Sequence, residues 1–269
     1  TRISDVAEEI TRITNAVNGY DEATVKYGDY KDILQLIDDI KALTDGQNIT
    51  DDERASLEEL NTKANLLAAK IRSTADEISR ITRAVNAYNI DTVKSSDKAD
   101  IENLIARIKK LTDGDNVTDD ERAKLNELDS ILEALLEKIN AVKDEITRIE
   151  EAVNAYDEDS VKSTDKADLE QLKTDIKTLT DATNITEDER TKLGELDAKL
   201  DALIKKIDDT AAEIERIDEA VNGYDKDTVT SDDVPELSKL IEDIKALTDG
   251  DNLTEDEKSA LEEADKAID

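Results

Sequence analysis

The chain has 269 residues, 70 of them acidic and 36 basic, for a formal charge of −34. A surface this acidic repels nucleic acid and anionic membranes, since both need a basic face. His, Cys, Met, Trp and Phe are absent, which removes the commonest general base, thiolate and disulfide chemistry, and the usual zinc, copper and haem ligands. Hydrophobic residues make up 37%, enough for slim helical cores but not for one large globular core. No apolar run is long enough to span a bilayer and none resembles a signal peptide.

Tyr20, Tyr88, Tyr156 and Tyr224 each lie 68 residues after the last, as do Ile10, Ile78, Ile146 and Ile214, and Asn48, Asn116, Asn184 and Asn252. A strict period means that each copy is one packed unit joined to its neighbours. The copies are 1–68, 69–136, 137–204 and 205–269, the fourth truncated at its end. Thr1-Arg2-Ile3 aligns with Ala69-Lys70-Ile71, inside a helical pattern. Both ends therefore read as cuts in a longer array, with any targeting or anchoring segment outside them.

In the second copy, Ile71, Thr74, Ile78, Ile81 and Val85 alternate spacings of three and four, the seam of a bundled helix. Asn86 to Asp91 breaks the pattern, and Ser95-Ser96-Asp97 offers a new helix start. Ile101, Leu104, Ile108 and Leu111, widened by Ile105, form the second seam. Gly114 after Asp113 is able to take positive φ at the helix end. Thr118 and Glu121 then form a capping box, repeated as Thr50 with Glu53, Thr186 with Glu189 and Thr254 with Glu257. Leu125, Leu128, Leu132, Leu135 and Ile139 give the third helix. The single proline, Pro235, falls in a first helical turn, where a missing N–H costs little.

The third seam does not stop at the copy boundary. It continues through Val142, Ile146, Ile149 and Val153 in phase, and Leu193 to Val221 does the same one copy later. The fold class expected is all-α: four tandem three-helix bundles, joined by continuous helices into an elongated rod. A net advance of roughly 18–20 helical residues per copy at ~1.5 Å each gives about 110–130 Å for four copies.

Three features could carry chemistry. The stretch from Thr112 to Glu121 resembles a calcium loop, but Asp113 to Glu121 is one residue short and Leu111 holds the first ligand's place. Capping is the preferred reading, and no metal or cofactor is expected. The recurring Tyr and Val of the acidic loops (Tyr156 and Val161 in the third copy) suit a plug at the bundle end, the phenol reaching a polar partner. Tyr27 and Tyr30 occur only in the first copy and, as two exposed aromatics, are the ligand-contact candidates. No catalytic residue is assigned: paired carboxylates of a glycosidase need an enclosing cleft, which slim bundles do not provide.

Strings such as Val153-Asn154-Ala155-Tyr156-Asp157, Ser163-Thr164-Asp165-Lys166 and Leu247-Thr248-Asp249-Gly250-Asp251-Asn252 resemble tandem helical, spectrin-like repeats of large Gram-positive surface proteins. That resemblance implies an extracellular stalk or spacer on the bacterial cell wall, a non-enzymatic segment whose partners are other domains of the same polypeptide. A monomer is expected, without nucleic acid and without membrane insertion. The alternative is an adhesion module whose helices bind a host protein or glycan.

Overall fold

The structure, a computed structural model, describes residues 2–268, with side chains from Asp5 onward. Its regular secondary structure is all helical, with no strand among the described residues. The helices are α1 (Arg2–Asn18), α2 (Tyr30–Thr44), α3 (Asp51–Val85), α4 (Lys98–Thr112), α5 (Asp119–Asn154), α6 (Lys166–Thr180), α7 (Glu187–Asn222), α8 (Val234–Thr248) and α9 (Glu255–Ile268). Single 3-10 turns at Tyr27–Asp29, Ser95–Asp97 and Ser163–Asp165 lead into α2, α4 and α6. None of the described helices is long and apolar enough to cross a membrane.

The chain divides into two compact units, Thr1–Ile139 and Asn140–Asp269. In the first unit, α3 serves two cores. Its N-terminal half sends Leu57, Leu60, Ala64, Leu67 and Ile71 into a cluster with Ile13 and Val17 of α1 and Ile33, Leu36 and Ile40 of α2. Its C-terminal half sends Ile78, Ile81 and Val85 into another, with Ile101, Leu104 and Ile108 of α4 and the leucines of α5. Each buried leucine, isoleucine or valine contributes about 1.5–3 kcal/mol, so neither half of α3 depends on helix propensity alone.

In the second unit, α7 does the same. Leu193, Leu196, Leu200, Leu203 and Ile207 pack with α6 and the end of α5. Ile217 packs with Leu240, Ile244, Leu253 and Leu261. That last cluster is the smallest because α9 contributes a single fully packed residue, Leu261.

The long helices begin as the sequence predicts. Thr50, in extended conformation, donates its N–H to Glu53 Oε2 at 2.8 Å, and Glu53 N–H donates to Thr50 Oγ1 at 3.3 Å. The same reciprocal pair forms at Thr118 with Glu121, Thr186 with Glu189 and Thr254 with Glu257. Pro235 lies in the first turn of α8.

The helix ends do not. Among the described residues none, glycine included, takes positive φ, so the left-handed stop expected at Gly114 is replaced. Asp113 stays right-handed at φ −75°, and the chain tightens through Gly114 N–H donating to Leu111 O at 3.2 Å. The freed carbonyls are capped from outside. Arg122, one turn into α5, donates to Gly114 O at 2.9 Å, and Arg54 and Arg190 do the same at Gly46 and Ala182. A guanidinium at the negative end of a helix satisfies orphan carbonyls and the dipole together, which makes a left-handed residue unnecessary.

Candidate functional site

Tyr27 and Tyr30 sit at the entry to α2, on the 3-10 turn and the first helical residue. Their rings stack, with centroids 6.2 Å apart and planes 13° off parallel. Tyr27 is 58% exposed, as two polar-surface aromatics predict. Tyr30 is not: it is half-buried against the first core and tied to α3. Arg72 lies 5.4 Å from its ring centroid and its Nε donates to the phenol oxygen. The expectation of two exposed aromatics is thus corrected to one. The reason is visible in the third copy, where the same two positions hold Lys166 and Asp208, paired at 2.6 Å. A polar link from the start of the second helix to the third helix recurs, in aromatic form in the first copy.

The acidic stretch before α5 is built as a cap. Glu121, which would close a calcium loop, has its carboxylate on the N–H and hydroxyl of Thr118 at 2.8 and 2.9 Å. Among the described residues no group of three acidic side chains is arranged to hold a metal ion.

The Tyr–Val loops close the core ends. Val25, Val93 and Val161 are buried, and Tyr20, Tyr88 and Tyr156 pack beside them. Burial, reinforced for Tyr20 by the carboxylates of Asp32 and Asp29, holds these phenols above their ordinary pKa. Tyr224 donates to Glu236 at 2.9 Å. The fourth copy departs from the expected plug, because Val229 is 42% exposed.

What covers the loops in the first and third copies is a residue whose role the periodicity marked without explaining. The Asn116 carboxamide donates to Glu22 O at 2.9 Å and to Val25 O at 3.1 Å. In the second unit Asn252 donates to Glu158 O at 2.7 Å and Val161 O at 3.1 Å. Each asparagine spends both N–H bonds on the loop of the preceding copy.

Ion pairs repeat as well. Arg12, Arg148 and Arg216 each bridge a glutamate one turn back (Glu9, Glu145, Glu213) and an aspartate on the neighbouring helix (Asp39, Asp175, Asp243). Hydrogen bonds from these arginines hold the glutamates below the usual carboxylate range. The pairs are solvent-exposed, so each contributes little to stability.

The concavities are grooves between helices. One of about 560 Å³ between α6 and α7 is lined by Glu170, Lys173, Asp197 and Gly194, and Lys173 pairs with Asp197 and Asp201 across it. Both aspartates are thereby paired with one ammonium group.

No protein family, curated protein or solved structure matches this chain.

Proposed function

We propose that the chain is a non-catalytic spacer: four three-helix bundles of 68 residues, strung into a rod that holds other domains of a larger bacterial surface protein away from the cell wall. The observation that carries this reading is that α3, α5 and α7, of 35 or 36 residues each, run unbroken across the copy boundaries. A shared helix leaves no flexible linker at a joint. Within each unit the asparagine contact adds a second tie, so bending needs both to yield. The high acidic charge keeps such rods apart in solution. The absence of Cys and Met suits a position exposed to oxidants. The resemblance to Gram-positive surface repeats supplies the extracellular setting.

The test is small-angle scattering of the intact chain. The spacer reading predicts a monomer with a maximum dimension of about 110–130 Å, whereas a globular radius of gyration of about 18 Å contradicts it.

A second reading, adhesion through the helical repeats, is favoured by one observation. Exposed Tyr27, stacked on Tyr30, lies on the copy that also exposes Leu66 at 59%. Tyr27→Ala abolishing capture of a host protein or glycan, with unfolding unchanged, would support adhesion over the spacer.

A further inference from the structure

The four copies act as controls for one another, and one set of positions in the second copy differs from the matched positions of the others in a single electrostatic direction. Arg80 and Glu77 match the arginine and glutamate of the ion triads, but the position of Asp39, Asp175 and Asp243 is Arg107. The triad is inverted. Glu77 accepts from Arg107 Nε at 2.7 Å and stands 3.8 Å from Arg80 Nη1, one carboxylate between two guanidiniums. Two neighbouring positions move the same way. Lys110 stands where the other copies have Ala42, Thr178 and Ala246, and Ser73 where the first and fourth have Asp5 and Asp209.

These residues, with Lys70, line one concavity of about 410 Å³ between α3, the end of α4 and the Gly114 loop. The second copy places four cations there against one carboxylate, a local charge of +3 in a chain of −34. The six matched positions sum to −1 in the first and fourth copies and to 0 in the third. The cations are not consumed by the fold. Arg107 uses only Nε, Arg80 is 65% exposed, and Lys70 and Lys110 make no hydrogen bond or ion pair among the described residues. Glu77 is held below the usual carboxylate range by Arg107, with Arg80 and Lys110 adding to the effect.

We propose that this concavity binds a phosphate- or sulfate-bearing ligand. Like charges left unpaired side by side repel, and an oxyanion with several acceptor oxygens relieves that repulsion. Two planar guanidiniums offer forked donors to such a group, two ammoniums add point charge, and the Ser73 hydroxyl adds a neutral donor. The volume exceeds that of a single phosphate and fits a diphosphate or a sulfated sugar unit. The negative charge of the chain as a whole does not forbid this. At physiological ionic strength the screening length is about 8 Å, so the cations lining the site outweigh distant carboxylates. The near opponents are Asp76, which lines the adjoining groove with Arg80, and Asp113 and Asp115, which flank Gly114 in the loop. This inference does not rest on the spacer reading.

The test is a titration of the intact, isotope-labelled chain with inorganic pyrophosphate, followed by amide chemical shifts. The expected result is saturable shifts confined to residues 70–80 and 107–114. Arg107→Asp rebuilds the triad that three other copies hold, so the protein should stay folded by circular dichroism while affinity drops about tenfold or more. Lys110→Ala, the residue of the first and fourth copies, should weaken binding without other change. A heparin oligosaccharide run in parallel separates the sources: tighter binding than pyrophosphate identifies a sulfated glycan, and weaker binding a phosphate ester. Absence of localised shifts with both probes, or equal shifts in folded Arg107→Asp, overturns the proposal.

Discussion

Asn116 reaches back 91 residues to donate its carboxamide to the Val25 carbonyl, at 3.1 Å. The contact ties the loop that opens one copy's second helix to the loop that precedes the next copy's third. Its second N–H goes to Glu22 O, so one side chain satisfies two carbonyls that the helices leave free.

Replacing Asn116 by Ala should therefore destabilise the first unit by about 1–3 kcal/mol, the range for leaving partly buried hydrogen-bonding groups without partners. Urea unfolding of the intact chain measures it. Asn48→Ala is the internal control, because Asn48 is exposed and its loss should change the midpoint little. Equal effects at both positions would mean that the contact does not hold the loops together.

Thr118→Ala removes the hydroxyl that receives Glu121 N–H at 3.2 Å. The expected loss is about 1 kcal/mol, typical for a helix N-cap. Thermal melts of Thr118→Ala beside Thr118→Ser, which keeps the oxygen, separate the cap from lost methyl packing.

Gly194 lies inside α7, and a Cβ added there meets nothing within 4 Å. Gly194→Ala should stabilise the second unit by about 1 kcal/mol, the helix-interior difference between the two residues. A fall in midpoint would show that the groove beside it needs the glycine.

Acid should weaken the triads in a defined direction. Glu145 is held below its ordinary pKa by the Arg148 hydrogen bond. A lowered folded-state value means stability that is present above the unfolded glutamate value of about 4.3 and lost as pH falls through the folded one. The midpoint difference between wild type and Glu145→Gln should thus be open at pH 7 and close in acid. The comparison cancels the general effect of neutralising a chain of −34.

Much of the helical framework was legible in the sequence because its signals are local. The three-four spacing of Leu125 to Val153 foretold that α5 would pass through a copy boundary without a break, and the Thr–Glu boxes foretold where the long helices start. What the sequence hid were contacts made at long range. Arg54, Arg122 and Arg190 each follow a cap threonine by four residues, a periodic signal that only the folded chain explains as carbonyl capping. Gly114 looked like a left-handed stop because the sequence cannot reveal that an arginine will take over that task. Tyr30 looked exposed because Arg72, 42 residues away, is invisible to a local reading. Arg107 was readable as a departure from Asp39, Asp175 and Asp243. Its consequence became clear only with Glu77 and Lys110 beside it.

The most direct measurement of coupling through shared helices uses the absence of native cysteine. Spin labels at Glu102→Cys on α4 and Glu170→Cys on α6, both exposed positions, report the distance between the second and third copies across α5. Continuity of α5 predicts one narrow distance distribution. Val142→Pro should broaden or shift it, since proline removes a backbone hydrogen bond and costs about 3 kcal/mol or more inside a helix. A distribution already broad in the wild-type chain, or unaltered by the proline, would contradict coupling through the shared helix and with it the spacer.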